Sequence, residues 1–181
     1  MEEVIYSPIG LIRSPFKDIE GMPIQASGAR GVRGIVEVNP EFSPGLKDLE
    51  GFSHITLIYH FHCSRGYALE VKPFLDNEFH GVFATRAPRR PNSIGLSTVR
   101  LLSIENGRLL VEDLDILDGT PLLDIKPYVP EFDARDAERC GWFSGKAGRV
   151  ENTRADGRFR QEVSLKEPTP GVVVIDGTEQ N

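Results

Sequence analysis

The chain has 181 residues, with 21 lysines and arginines against 27 aspartates and glutamates, for a formal net charge of −6. This length favours one domain with an extension, and the acidic balance argues against a protein that coats nucleic acid through bulk charge. Two cysteines, Cys63 and Cys140, are too few for a disulfide framework or a cysteine-rich zinc site. The N-terminus lacks the basic and apolar segments of a signal peptide, and no apolar run approaches a membrane span, so we expect a cytoplasmic protein with no membrane partner.

The first part of the chain predicts short strands separated by glycines and prolines. Residues 6–14 and 34–38 are the first two candidates, and a short helix is predicted at 45–49. The segment 54–63 is the clearest strand, because its odd positions are apolar and its even positions are more polar. That alternation is typical of a strand with one buried face.

Further strands are predicted at 68–72, 82–85, 96–104 and 108–114. The last two flank Asn106-Gly107, the dipeptide most typical of a tight hairpin turn. A second short helix is predicted at residues 134–139. Many short strands joined by turns indicate a mostly β protein, a single-sheet antiparallel β-barrel with short helices and a C-terminal extension.

The end of the chain differs in composition from the rest. From residue 144 onward, glycine, arginine and proline rise and the apolar pattern fades, although residues 171–175 resemble a last strand. We therefore expect a barrel domain over residues 1–143 and an extension over 144–181. The extension is either an arm that contacts a partner or a partly ordered appendage.

An arginine-rich loop is the densest motif in the chain. Arg86, Arg89 and Arg90 lie within five residues and are flanked by prolines that restrict the backbone. Fixed guanidinium groups suit bidentate recognition of phosphate or carboxylate. The alternative is a solvated turn whose arginines pair with the many acids of the chain.

Aspartates form a second motif. Asp113, Asp115, Asp118 and Asp124 lie within twelve residues, several of them beside leucine or isoleucine. A carboxylate among apolar residues is costly unless it is paired or caps a turn. These side chains could bind sugar hydroxyls, offset a cation or pair with the arginines, while Asp118 followed by glycine also fits an ordinary turn.

Two histidines share one face of the clearest strand. His60 and His62 have the spacing that a zinc pair requires, but no second cluster of ligands accompanies them, so we expect no metal. A histidine lining a small-molecule pocket is the favoured interpretation. The glycine-rich stretch at 28–34 lacks the order of a dinucleotide-binding fingerprint, and motifs for a serine or cysteine nucleophile are absent.

Several segments, in this order along residues 4–133, resemble the TrmO (TsaA-like) family. They are IGLIRSPFK at 9–17, PIQ at 23–25, LEGFSHI at 49–55, FATRAPRRPNSIGL at 83–96, LDGTP at 117–121 and DIKPY at 124–128. The resemblance implies an S-adenosylmethionine-dependent tRNA methyltransferase. Its acceptor would be the exocyclic amino group of threonylcarbamoyladenosine 3′ of the anticodon.

The resemblance also implies a homodimer with the cofactor near its interface, and it assigns residues by motif. The implied S-adenosylmethionine-binding residues are Gln25, Ala26, Ser27, His62, Cys63, Arg86, Leu96, Asp115, Ile116, Leu117 and Asp118. The extension here is shorter than the C-terminal domain of many bacterial members.

The acceptor nitrogen is acylated and is therefore a poor nucleophile. Asp124 is the candidate general base, and Tyr128 would orient the adenine by stacking or hydrogen bonding. The predicted substrate-binding residues, for phosphates or for the carboxylate of the modification, are Arg89, Arg90, Asn92 and Lys126. The structural alternative is an ion pair between Asp124 and Lys126, with the tyrosine anchoring the end of the barrel.

Two other functions remain open from the sequence. One is an S-adenosylmethionine-binding β-barrel protein that acts on another RNA or on a small metabolite. The other is a non-enzymatic RNA-binding module, although such modules usually interleave exposed aromatic and basic residues, and no such stripe is visible in the sequence.

Overall fold

The structure is a computed structural model, and it describes residues 4–159. Strands dominate it, and its α-helical part, α1, is a single turn at Pro130–Asp133 that begins with proline. The strands are β1 Gly10–Arg13, β2 Arg33–Val38, β3 His54–His60, β4 Glu70–Val71, β5 His80–Gly81, β6 Ile94–Glu105, β7 Arg108–Glu112 and β8 Thr120–Pro127. Short 3-10 turns lie at Ala26–Gly28, Pro40–Leu46, Leu49–Gly51, Val82–Ala84, Gly141–Phe143, Ala147–Asn152 and Gly157–Phe159.

Six of the strands form a closed barrel in the order β1-β2-β7-β6-β3-β8. All neighbours are antiparallel, and β1 pairs with β8 through Gly10 opposite Leu122 to complete the circle. Closure removes the unpaired edges that an open sheet would expose. The prediction of a single-sheet antiparallel barrel is confirmed, and β4 and β5 form a small separate sheet beside it.

The barrel interior is packed with aliphatic side chains. In β3 the predicted alternation is confirmed, because Ile55, Leu57 and Tyr59 are buried while Thr56 and Ile58 are half-buried. The same inward positions of the other strands complete the core, which includes Ile12, Val36, Val38, Val99, Leu109, Val111 and Leu122. Since these side chains fill the interior of the barrel, a ligand must bind at one of its ends.

The hairpin between β6 and β7 is also confirmed. Glu105 pairs with Arg108, and the intervening Asn106 and Gly107 have φ angles of 51° and 76°. Both central residues thus have left-handed backbone conformations. The two-residue hairpin turn whose twist matches that of the flanking strands requires this.

Two local predictions are wrong, and one strand was not predicted. Residues 82–84 form a 3-10 turn, not a strand, because the Val82 carbonyl accepts from the Thr85 backbone and hydroxyl and from Arg90. Residues 134–139 form no helix, since all six are exposed and carry no apolar face to bury. Finally, β8 runs through Asp124 and Lys126, in a segment that was interpreted only as a motif.

The end of the chain was predicted to form an extension from residue 144, and that boundary stays a prediction. The possible strand at 171–175 lies outside the described residues. Within residues 4–159, no helix combines the length and the apolar character needed to cross a membrane.

The closeness of β1 to β2 depends on a residue without a side chain. A Cβ at Gly10 would lie 2.1 Å from the Glu37 carbonyl oxygen. We expect Gly10→Ala to lower the free energy of unfolding by about 1–3 kcal/mol, because backbone must move to relieve the clash. Urea unfolding measures this, with Gly45→Ala as the control, since a Cβ there would meet nothing within 4 Å. Equal stability of the two variants would contradict the tight packing.

Candidate functional site

A cavity of about 430 Å³ lies over the end of the barrel where β3 ends and β6 and β8 begin. Tyr59, Gly95 and Thr120 of the barrel strands and Asp115 of the β7–β8 connection contribute to its lining. Loops and the C-terminal part of the described chain supply the other walls. This volume is within the range of small-molecule and cofactor sites, about 300–1,000 Å³.

Asp115 is the most unusual group in the cavity. Its Oδ1 atom is buried and accepts no hydrogen bond from the described residues. Burial raises the pKa of Asp115 to about 6, against the opposing effects of hydrogen bonding to Ser97 and of the Arg86 charge. A carboxylate held in this way is stabilised by any ligand that brings a hydrogen-bond donor or a positive charge.

A buried polar pair supports the same region. The Tyr59 hydroxyl and Ser97 Oγ are 3.1 Å apart. Burial, and next the charge of Asp115, raise the pKa of Tyr59, so its hydroxyl stays protonated and can donate. Gly95 makes room for this tyrosine, because a Cβ there would lie 2.2 Å from the ring.

Arg86 and Gln25 are brought together from distant parts of the chain. Arg86 Nη1 donates to Gln25 Oε1 at 2.9 Å, and both side chains line the cavity. The guanidinium group has further donors in a fixed fork, which suits a carboxylate ligand. The arginine-rich loop at 83–96, called the signature loop from here on, and the segment after Pro23 therefore form one wall.

His62 is oriented by Thr120. The Thr120 hydroxyl donates to the Leu117 carbonyl at 2.7 Å, and its oxygen lies 3.2 Å from His62 Nδ1. Because the hydroxyl proton is used, Nδ1 must be the donor of that pair, which leaves Nε2 as an acceptor. Burial, and next the neighbouring His60, lower the pKa of His62, so the ring is neutral at pH 7. Among residues 4–159, no three potential ligands gather as a metal site would need.

Arg90 has both a structural and a cavity-facing position. Its Nη1 donates to the Val82 and Thr85 carbonyls at 3.0 and 2.9 Å, and its guanidinium carbon lies 5.7 Å from the centre of the Phe83 ring. These contacts hold the signature loop in shape while Arg90 also lines the cavity.

The predicted residues divide into those that the fold gathers and those that it does not. The residues that line the one cavity come from four separate stretches and are Gln25, His62, Cys63, Arg86, Arg90, Leu96, Asp115, Ile116 and Leu117. Ala26 and Ser27 occupy the adjoining 3-10 turn, and Arg89 and Asn92 lie in the signature loop without lining the cavity.

Asp118 lies outside the cavity and binds the segment that follows β1. Its carboxylate accepts from the Ser14 backbone at 3.0 Å and lies 2.7 Å from Lys17 Nζ. The hydrogen bond from Lys17 is the main reason that the pKa of Asp118 is below its usual value. These are the contacts of a structural carboxylate.

The predicted catalytic residues lie on the outer surface of β8. Asp124 is opposite Ile58 of β3, and its carboxylate lies 2.8 Å from Lys126 Nζ. The Tyr128 ring meets the edge of His54 with ring centres 6.3 Å apart. None of Asp124, Lys126 and Tyr128 lines the described cavity, and the ion pair of the structural alternative is present. Their catalytic and substrate roles stay predictions.

Several cavity residues were not anticipated from the sequence. Tyr59 reads as an ordinary inward position of a strand, as does its hydrogen-bond partner Ser97, and nothing local marks either position as the end of a barrel. The aromatic residues Trp142 and Phe143 lie at the predicted boundary of the domain, and Phe159 lies beyond it. Two large aromatic residues in a glycine-rich stretch were the available signal for this wall.

Comparison with known proteins gives consistent similarities. Residues 11–134 match the model of the tRNA-methyltransferase O N-terminal domain. The chain is 58% identical over 156 residues to a probable S-adenosyl-L-methionine-binding protein of Pyrococcus abyssi. The aligned region covers 86% of this chain and 85% of that protein. It is 36% identical over 140 residues to the human tRNA (adenine(37)-N6)-methyltransferase. That alignment covers 72% of this chain and 31% of the human protein.

Among solved structures, the crystal structure of TrmO from Pseudomonas aeruginosa is similar, with 44% identity and a TM-score of 0.65. The similarity covers 78% of this chain and 63% of that one. The chain therefore spans less than two thirds of the Pseudomonas structure and about a third of the human protein.

The cost of burying the Asp115 carboxylate predicts that the stability of the fold depends on pH. Because its pKa is raised in the folded protein, its favourable contribution is present below about pH 4 and is lost as the pH rises through 6. We expect Asp115→Asn to be more stable than the wild type at pH 7.5 by up to about 2 kcal/mol, and equally stable near pH 4, in urea unfolding without ligand.

Asp118→Asn is the matched control with the opposite sign. Its lowered pKa means that its carboxylate stabilises the fold above pH 4 and ceases to do so as the pH falls, so this variant should be less stable at pH 7.5. A destabilised Asp115→Asn variant at pH 7.5 would mean that Asp115 is paired rather than unsatisfied.

Proposed function

The chain belongs to the tRNA-methyltransferase O family, and from this premise we propose that it is an S-adenosylmethionine-dependent methyltransferase that acts on N6 of an adenosine in tRNA. The observation that carries the proposal is the convergence of Gln25, His62, Arg86 and the unsatisfied Asp115 on one cavity. We also propose that the protein acts in the cytoplasm, where it would meet this substrate.

The residues present fit this cofactor. Asp115 offers a buried carboxylate to a positive group, and Arg86 offers donors to the carboxylate of the amino-acid end. Leu96, Ile116 and Leu117 supply apolar contacts for a flat ring. When bound, the cofactor supplies a methyl group that its sulfonium charge has already activated. The work left to this chain is to orient the acceptor nitrogen and to exclude water.

The electrostatics around the cavity support an anionic nucleic-acid substrate. Arg86, Arg89 and Arg90 form no ion pair with a described acidic residue. In contrast, Arg33 of β2 and Arg108 of β7 pair with Glu112 and Glu37. These guanidinium groups keep donors that no acidic side chain among residues 4–159 occupies, and those donors are available to phosphates.

The finer proposal concerns the modification on the acceptor. A threonylcarbamoyl group adds a carboxylate next to N6, and an unpaired arginine of the signature loop is a matching partner for it. We therefore propose threonylcarbamoyladenosine 3′ of the anticodon as the substrate, with Arg89, Arg90 and Asn92 on the nucleotide side.

Transfer of a labelled methyl group tests this proposal with tRNA prepared with and without the threonylcarbamoyl modification. We expect transfer only to modified tRNA. Arg89→Gln should raise the KM for tRNA several-fold, while Arg108→Gln, whose arginine is paired with Glu37, should leave KM unchanged. Cofactor binding without transfer to any tRNA would favour another RNA or a metabolite as substrate. Absence of cofactor binding would favour a non-enzymatic RNA-binding module.

The position of Asp124 supports a homodimer. If Asp124 is the base and Tyr128 orients the adenine, they cannot serve the cavity of their own subunit, because they lie on the outer surface of the barrel. On that surface Ile58 stands between Asp124 on one side and Leu96 on the other, and Leu96 is 55% exposed. An apolar row that reaches the cavity suits contact with a second subunit.

Charge introduced into this row tests the dimer. We expect Ile58→Lys to yield a folded monomer in analytical ultracentrifugation that still binds cofactor but has lost methyl transfer. Leu11→Lys, on the outer face of β1, is the control and should stay dimeric and active. A monomeric wild type, or an Ile58→Lys dimer, would contradict this interface.

A further inference from the structure

The C-terminal part of the described chain contributes to the ligand cavity. Residues 141–159 lie beyond the segment 11–134 that matches the family domain. They nevertheless supply Trp142, Phe143, Val150, Ala155 and Phe159 to the cavity lining. This segment consists of 3-10 turns and has no strand in the barrel, so its placement depends on the contacts described next.

One attachment joins the segment to the chain just before Gln25. The Gly21 backbone donates to the Ala155 carbonyl at 2.8 Å, and the Ala155 backbone donates to the Met22 carbonyl at 2.7 Å. Pro23 and Arg154 form an isolated β-bridge at the same place. The segment therefore runs alongside residues that line the cofactor side of the cavity.

A second attachment fixes Trp142. Its Nε1 donates to the Ala84 carbonyl at 2.8 Å, and its ring stacks on His80 with centres 4.5 Å apart. Lys146 forms an ion pair with Asp76, and this hydrogen bond is the main reason that the pKa of Asp76 is below its usual range. His80 also contacts Asp76, with 3.3 Å between Nε2 and Oδ2. The Trp142 ring also stacks on Phe143 with centres 3.8 Å apart, so it is held by its edge and by stacking on two neighbours.

A third attachment lies at the end of the described chain. The Phe159 ring meets the edge of Phe74 with centres 5.1 Å apart. Arg158 Nη1 donates to the Pro73 carbonyl at 2.7 Å, and its guanidinium carbon lies 4.8 Å from the centre of the Phe74 ring. Phe74 itself lines the cavity, so the contact brings an aromatic pair to its wall.

We infer that residues 141–159 form a wall of the cavity whose aromatic side chains bind an adenine ring. The inference rests on the proposed function, because both the cofactor and the acceptor nucleoside contain adenine. Phe143 and Phe159, with Phe74 beside them, offer aromatic surface, Trp142 stacks on Phe143, and no carboxylate of the segment lines the cavity. Stacking of a base on an aromatic side chain contributes about 1–3 kcal/mol, which corresponds to about 5- to 100-fold in affinity.

Trp142 provides a direct readout in the unmodified protein. It is the one tryptophan of the chain, so intrinsic fluorescence reports on this wall alone. We expect its emission to change in intensity or wavelength when the full chain is titrated with S-adenosylhomocysteine or with an anticodon stem-loop RNA that carries threonylcarbamoyladenosine. Calorimetry of the same titrations gives the dissociation constants independently.

Two variants identify which adenine the wall binds. Phe143→Ala and Phe159→Ala each remove one ring of the wall, and Phe132→Ala removes a ring of α1 that is 60% exposed and lies outside the cavity. We expect the wall variants to weaken binding of one probe about 5- to 100-fold relative to Phe132→Ala. Loss for S-adenosylhomocysteine assigns the wall to the cofactor, and loss for the RNA assigns it to the acceptor. Circular dichroism checks that the variants are folded.

The inference and the proposed function fail in different ways. If the wild type binds both probes without a change in Trp142 emission, and the wall variants bind them as Phe132→Ala does, the wall is structural and the inference is wrong. In that case the methyltransferase proposal stands. If the wild type binds neither probe in calorimetry, the proposed function is wrong and the inference fails with it.

Discussion

Closure of the barrel by the pairing of β1 with β8 is the constraint from which the site follows. The closed sheet encloses an interior filled by aliphatic side chains, so there is no internal space for a ligand. Tyr59 and Ser97 are the inward residues where this packing ends, and Asp115 is the carboxylate that meets it there. Binding chemistry is therefore confined to the rim, where loops can add donors and aromatic rings to a rigid base.

The charges follow the same division between barrel and rim. The net charge of −6 describes the whole chain, but its arginines differ in what they contact. On the barrel, Arg13, Arg33 and Arg108 are matched by Glu37 and Glu112, and such exposed pairs add little stability. At the rim the arginines of the signature loop lack acidic partners among residues 4–159. An acidic protein thus retains a local positive surface where an anion would approach.

The sequence predicted the parts of the fold that depend on local pattern. Alternation identified β3, and Asn106-Gly107 identified the β6–β7 hairpin, because both signals reside in neighbouring residues. β8 was not predicted because its outer positions carry charged residues, and charged residues in such a pattern indicate a functional site rather than a strand. The motif resemblance named eight residues of the cavity lining, from Gln25 to Leu117. It could not include Trp142 or Phe159, whose placement depends on contacts with residues far away in the chain.

The wall formed by residues 141–159 has a consequence for the order in which the barrel and the ligand cavity are completed. All six barrel strands end by Pro127, so the barrel can close while the ribosome is still adding the last part of the chain. The contact of Gly21 with Ala155 cannot form until that alanine has left the exit tunnel. The strands of the barrel thus leave the ribosome before the residues of the wall do, so the sheet can form before the cavity has all of its lining residues.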